Sequence, residues 1–423
     1  MPAGRLRDHL HQMRPPTLAP DHGHSALLQQ TGFCRELAAV PRSHRMTHHA
    51  HAQTADVLLT VSGLIDSSAP AAARIGRGPR IDYHELAHGL NADLIDLAAA
   101  RRINGSYAQM LERLGGPALN LAWAASRLAP HYRTILTDGE QVGLPLAALL
   151  RRYRRHRPYH VMITHAISRL KKAFLIDTLR LHDAIDRYLV YATIQQRFLQ
   201  TRWKLPAERV IQLPFMVDAA FFHPDQVCPV PLARPQIFSL GREARDYPTL
   251  IRAVSGLDAD LLIAAYSPWS KRGDSSARIP LPPNVRRGKY GFHELRAIYS
   301  ASSFVVIPLY PVDFQAGITS ILEAMAMGKA VICSRAPGQT DAVVDGETGL
   351  YVPPGDPRAL RAAIQYLLDH PDVAVQMGRA GRRRVEQGMT IEHYVARLSA
   401  VVGGAQQWPT EPVSGDVASG PRR

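Results

Sequence analysis

Short apolar runs rich in Val, Ile and Leu recur along two stretches of this chain, and each run passes into a polar or small-residue loop before a helical pattern begins. The first stretch contains ADVLLTVSGL (55–64), YRTILTDG (132–139), HVMITHA (160–166), RYLVYAT (187–193) and RVIQLPF (209–215). The second contains QIFSLGREARDYPTLIRAV (236–254), ADLLIAAYS (259–267), FVVIPLY (304–310), AVICS (330–334) and GLYVPP (349–354). Continuous apolar runs suit strands buried on both faces. Their alternation with helical patterns predicts an α/β fold with a doubly wound parallel sheet, and the repetition predicts two such sheets in tandem. A length of 423 residues exceeds what one ordinary core accommodates.

The predicted organisation is a disordered extension over 1–53, a first sheet domain over 54–232, a second over 233–388, a terminal helix over 389–405 and a solvated tail over 406–423. The extension carries the His-rich tract HRMTHHAH, and Met46 within it is a candidate translation start. The Pro-rich segment from Val217 to Pro235 reads as the connection between the sheets.

Composition narrows the function classes. Hydrophobic residues at 46% and charged residues at 20% describe a globular chain, and no apolar run is long enough to cross a membrane. MPAGRLRDHLHQMRPP lacks the apolar centre of a secretory signal, and the scattered Cys34, Cys228 and Cys333 form neither a disulfide framework nor a zinc site. A cytoplasmic protein is expected. The formal charge of +14 is concentrated towards the N-terminal half, most densely in RRYRRHRP at 151–158. Such a run suits either a solvated helix end or contact with the anionic inner face of a membrane, where each Lys or Arg contributes about 1 kcal/mol. Nucleic acid is not expected as a partner, because no aromatic–basic interleaving accompanies the charge.

In open parallel sheets ligands sit beyond the carboxyl ends of the strands, so strand-to-helix loops carry the most weight. In SLGREARDY a strand ends at Gly241, and Arg242 and Arg245 follow; paired guanidinium donors suit a diphosphate, although arginines after a strand also serve as plain surface residues. In QAGITSILEAMAMG a small-residue loop, Gln315 to Thr319, precedes a helix whose free N–H groups suit a phosphate. Glu323, one turn into that helix, can accept both hydroxyls of a ribose. Read without context, it is only a favourable charge near a helix start, contributing about 0.3–1 kcal/mol. The first apolar run ends at Ser62 and Gly63, a loop able to face an acceptor or a phosphate. No Gly-x-Gly-x-x-Gly turn follows that run, which argues against a plain NAD-type dehydrogenase.

The stretch from Phe304 to Val385, with LEAMAMGKAVICS, DGETGLYVPPGDPRAL and MGRAGRRRV, resembles the C-terminal half of GT-B glycosyltransferases of the retaining group called glycosyltransferase family four. GREARDYPTLIRA resembles that family's phosphate-binding segment, with Arg245 where Lys is usual; ITHAIS, LPFMVDAAFF and ADVLLTVSG are similar more loosely. The resemblance implies a GT-B fold, two Rossmann-like domains facing an interdomain cleft, with the terminal helix packing back on the first. It implies that Gly241, Arg242 and Arg245 meet the donor diphosphate, that Gly317, Ile318 and Thr319 meet the phosphates or donor sugar, that Glu323 binds the ribose, and that His165 stands across the cleft near the transferred sugar. The donor is then a nucleotide-sugar used as co-substrate, with no cofactor and no metal, and the acceptor is a lipid, glycan or small molecule. Gln315 departs from the pattern, which usually has Glu there. An amide both donates and accepts hydrogen bonds but brings no charge to a developing cation. The expected function is a retaining glycosyltransferase; the rivals are a non-catalytic nucleotide-sugar binder, and a phosphorylase or epimerase built on the same two-sheet architecture.

Overall fold

A computed structural model of the chain describes residues 55–153, 157–168, 170–228, 231–265, 275–277 and 279–406. The N-terminal extension, the His-rich tract, Cys34 and the C-terminal tail from 407 lie outside the described residues.

The first half runs β1 (Val57–Thr60), α1 (Ala69–Arg74), α2 (Asp82–Gly89), β2 (Ala92–Ile95), α3 (Leu97–Asn104), α4 (Tyr107–Leu128), β3 (Thr134–Thr137), α5 (Glu140–Leu150), β4 (Tyr159–Thr164), α6 (Leu170–Leu179), β5 (Arg187–Val190), α7 (Thr193–Arg202) and β6 (Val210–Gln212). The second runs β7 (Gln236–Leu240), α8 (Tyr247–Val254), β8 (Asp260–Ala264), β9 (Val285–Arg287), α9 (Phe292–Ala301), β10 (Phe304–Ile307), α10 (Ile318–Ala326), β11 (Val331–Ser334), β12 (Gly349–Val352), α11 (Pro357–Asp369) and α12 (Pro371–Gly388), and the described chain ends in α13 (Ile391–Gln406).

Each half builds one six-stranded sheet, ordered β2-β1-β3-β4-β5-β6 and β12-β11-β10-β7-β8-β9. Every pairing is parallel. Helices cover both faces, so VLLT, TILT, FVVI and VICS are buried along their whole length. The expected tandem of Rossmann-like sheets is present. Two strands without an apolar run, β2 and β9, complete the sheets at their edges.

The strand order fixes where a ligand fits. In each sheet the crossovers leave one strand in opposite directions, opening a crevice between β1 and β3 in the first and between β7 and β10 in the second. Register brings the loops at each crevice level with one another. Thr60 pairs with Thr137, so Ser62 and Asp138 emerge side by side. Phe304 pairs with Ile237 and Val305 with Phe238, so Gly241 and the segment after Ile307 leave the second sheet together.

The halves are joined twice. At Val217 the chain leaves the first sheet, and at Met389 to Ile391 it returns; the Val217 N–H donates to Met389 O at 3.0 Å and the Ile391 N–H to Val217 O at 3.2 Å. Phe221 and Phe222, just past the crossing, are buried in the core of the second half with Phe238 and Tyr299. Ile391, Tyr394 and Leu398 of α13 are buried in the core of the first half with Leu59, Val161 and Tyr191, and the Tyr191 and Tyr394 hydroxyls meet at 2.7 Å.

Candidate active site

At the β7–β10 crevice the second half assembles a buried cluster around Arg245. The loop after β7 folds onto the segment after β10: the Asp246 N–H donates to Pro308 O, the Tyr310 N–H donates to Ala244 O, and Arg245 bridges to Leu309. This carries the Arg245 side chain inward until only 4% of the residue is exposed. Its Nε donates to Leu240 O at 2.7 Å, Nη1 to Glu243 O at 2.9 Å and Nη2 to Ser320 Oγ at 3.2 Å. Among the described residues no carboxylate pairs with it, and burial pulls its pKa down. Two glycines make room for the guanidinium. A Cβ on Gly241 would lie 2.4 Å from Nη2, and one on Gly317 would lie 3.1 Å from Nη1; both residues have positive φ, at +95° and +79°.

Gly317 is also the N-cap of α10 and supplies no side-chain oxygen, so the first-turn N–H groups at Ile318, Thr319 and Ser320 carry the helix's partial positive charge without a side-chain cap. Ile318 and Ser320 are buried and Thr319 is exposed. Glu323 follows one turn later, 7% exposed, and its Oε2 accepts the Tyr299 hydroxyl at 2.8 Å. Burial pushes its carboxyl up to about 7, against the Tyr299 bond and the Arg245 charge. Arg242 is half-buried, and its Nε has no partner.

The first half answers with its own crevice. Ser62 binds Asp138 twice, through its N–H at 2.6 Å and its hydroxyl at 2.7 Å, which ties the β1 loop to the β3 loop. Gly63 O accepts the Leu97 N–H at 3.3 Å. His165 follows β4 directly; its N–H reaches Glu140 Oε2 at 2.9 Å and its ring Nε2–H donates to Asp138 O at 2.8 Å. That bond fixes the tautomer and leaves Nδ1 as an acceptor on an exposed ring. Burial pushes the Asp138 carboxyl above its ordinary range, and likewise that of Asp82, the first residue of α2; His165 opposes both shifts.

Two aspartates of the second half bridge the cleft. Ser168 Oγ donates to Asp313 at 2.6 Å, and Asp341 accepts the Thr193 N–H at 2.9 Å and the Thr193 hydroxyl at 2.7 Å. The N-cap residue of α7 is Ala192, which has no capping oxygen, so Asp341 serves as the cap from the opposite half. Beside this bridge Tyr191, Gln212 and Phe215 face Gln315, Ile318, Leu322 and Arg384 across a space of about 320 Å³. Gln315 presents its amide here with Oε1 buried and without a partner. The His165 ring lies 5.5 Å from that of Tyr191, one of the residues lining this space.

Residues 237–370 match the family model described as Glycosyl transferases group 1. Residues 237–370 thus resemble a group 1 glycosyl transferase domain. Over 143 residues the chain is 32% identical to D-rhamnosyltransferase WbpZ of Pseudomonas aeruginosa; the stretch is 33% of this chain and just over a third, 37%, of that protein. Among solved structures the chain is similar to sucrose-phosphate synthase from Thermosynechococcus elongatus, with a TM-score of 0.62 at 21% identity over 82% of this chain and 98% of that one. It is also similar to Anabaena Alr3699/HepE in complex with UDP and glucose, with a TM-score of 0.60 at 14% identity over 82% and 99% of the two chains. At these identities the likeness is one of fold, and that fold is GT-B.

The group 1 domain thus brings together Gly241, Arg245, Gly317, Ile318 and Glu323, with Arg242, Gln315 and Thr319 nearer the opening, while Ser62, Gly63 and His165 stand on the other half. The sequence pairs Arg245 with Arg242 as guanidinium donors for a diphosphate; in the structure three donors of Arg245 are directed to protein oxygens. Sequence reasoning did not single out Tyr299, Asp138, Asp313 or Asp341. Asp138 follows a strand in the same manner as His165, a signal that was available. The other three act through partners distant in the chain.

Proposed function

We propose that this chain is a retaining glycosyltransferase that moves a sugar from a nucleotide-sugar to a lipid, glycan or small-molecule acceptor without a metal. The observation that carries the reading is the meeting, at one switch point, of the buried Arg245 charge, the uncapped N-terminus of α10 and the Glu323 carboxylate. Glu323 takes the ribose hydroxyls. Arg242 and the first-turn N–H groups of α10 take the diphosphate as charge builds on it, with Arg245 as a fixed positive charge behind them. The bond from the anomeric carbon to the diphosphate breaks, and the acceptor oxygen bonds that carbon on the same face while its proton passes to the departing phosphate. His165 and Gln315 flank the transferred sugar, and the Ser62–Gly63 loop meets the acceptor. Mass-spectrometric detection of nucleoside diphosphate release from a donor panel, UDP-sugars first, tests this. Release with one donor, unaffected by chelator and lost in Glu323→Ala, is expected; no release with any donor overturns it.

One observation favours a second reading. Gln315 lacks the charge of a carboxylate, and its Oε1 is unpartnered, so a binder without turnover would bind a donor and raise its own Tm yet release no diphosphate.

The same proposal has the enzyme in the cytoplasm, with peripheral contact to anionic membrane through exposed arginines of the first half such as Arg74, Arg77, Arg102 and Arg113. No helix among the described residues is long and apolar enough to cross a membrane. In the 151–158 run, Arg151, Arg152 and Arg157 are bonded to protein groups, and 154–156 lie outside the described residues. Co-sedimentation with anionic but not neutral vesicles is expected, and equal binding to both would exclude the contact.

A further inference from the structure

We propose that Tyr299 is a positioning residue for the nucleotide subsite: its hydroxyl fixes one oxygen of Glu323 so that the other is presented to the ribose hydroxyls of a nucleoside diphosphate. The inference rests on the glycosyltransferase reading and deepens it.

The geometry is specific to this pair. Tyr299 lies on α9, 24 residues before Glu323, and is fully buried. Phe238 and Phe222 meet its ring edge-on, at centroid distances of 5.1 and 6.1 Å, so the phenol has no room to swing aside. Its hydroxyl lies 2.8 Å from Glu323 Oε2 and 3.3 Å from Ser320 O, and Ser320 Oγ in turn accepts from Arg245. Glu323 Oε1 has no partner among the described residues. One oxygen is therefore anchored from behind, and the other is available to the crevice.

The same bond governs charge. Burial and the nearby Glu323 hold the phenol well above its ordinary range, so it remains a proton donor. Donation to a carboxylate favours the ionised form, which is the form able to accept two ribose hydroxyls. The charged or titratable groups facing Glu323 are Tyr299 from α9 and Arg245 from the β7–α8 loop; Tyr247 of α8 and Cys333 of β11 act on these two rather than on Glu323 directly. With Glu323 already raised to about 7, loss of the Tyr299 hydroxyl moves it further up, and the carboxyl is then largely protonated at neutral pH.

The test is calorimetric binding of UDP, GDP and their 2′-deoxy analogues to wild type, Tyr299→Phe, Glu323→Gln and the double variant, from pH 6 to 9. Phe keeps the ring and its packing. Wild type is expected to prefer the ribonucleotide, and Tyr299→Phe to bind it about ten-fold more weakly at pH 7, with the deficit closing towards pH 9. In the Glu323→Gln background the Tyr299→Phe change is expected to add no pH dependence. A deficit equal at every pH, or unchanged discrimination against the deoxy analogue, would reduce Tyr299 to a packing role and overturn the inference while the transferase reading stands. If wild type binds neither nucleotide nor any member of the donor panel, the transferase reading itself fails and the inference goes with it.

Discussion

The two crevices are built from the same strand geometry yet hold their polar groups in opposite ways. In the second half Arg245, Ser320, Tyr299 and Glu323 are buried, with Arg245 bonded to Ser320 and Tyr299 to Glu323. In the first half His165 is exposed and anchored mainly through Asp138 O and Glu140, and Ser62 is pinned to Asp138. A cluster of mutually bonded buried groups has one geometry and suits a ligand part that is always the same; exposed side chains on pinned loops can be exchanged without unfolding a core. The family match follows this division, since it begins at residue 237 and ends at residue 370.

The comparison breaks most directly at Arg245. Arg245→Ala strips donors from Leu240 O, Glu243 O and Ser320 Oγ, and we expect a loss of about 3 kcal/mol or more in urea denaturation followed by circular dichroism. A loss no larger than that of an exposed arginine would mean the second crevice is not preorganised.

Next is the pH dependence of Glu323. Its folded pKa of about 7 lies above the ordinary 4.5, so the folded state binds more protons between those values and this contribution to stability is lost as pH rises through that window. Glu323→Gln should therefore gain stability relative to wild type from pH 4.5 to pH 7.5, by about 3 kcal/mol at most. Parallel curves for the two proteins would contradict the burial argument.

Asp341→Ala comes third. It removes the cap of α7 at a cost of about 0.5–2 kcal/mol and frees one of the two bridges across the cleft. Faster proteolysis between the halves is expected, with UDP affinity close to wild type. The smallest effect is that of Ser62→Ala, about 1 kcal/mol, which should appear in the KM for acceptor and leave the donor untouched.

Most of the fold could be read from the sequence because inner strands of a covered parallel sheet are apolar on both faces. The two that escaped, β2 with Asp93 and β9 with Arg286 and Arg287, are edge strands, and an edge exposed to water does not require an apolar run. At the site, Glu323, Gly317 and Gly241 stood out because helix starts and strand ends have local signatures. Tyr299 and Asp341 did not, since their partners lie 24 and 148 residues away in the chain. The inward direction of Arg245 is illegible in the sequence for a related reason: only the fold of the β7–α8 loop onto the segment after β10 turns that side chain inward.

Because Ile391, Tyr394 and Leu398 complete the core of the first half, that half is discontinuous in sequence. On the ribosome the segment up to residue 216 emerges with an apolar face still uncovered, and the helix that seals it is translated only after the whole second half. A fragment stopping at residue 216 should aggregate unless residues 390–406 are supplied, fused or in trans. A helix translated after the second half is thus the part that completes the first.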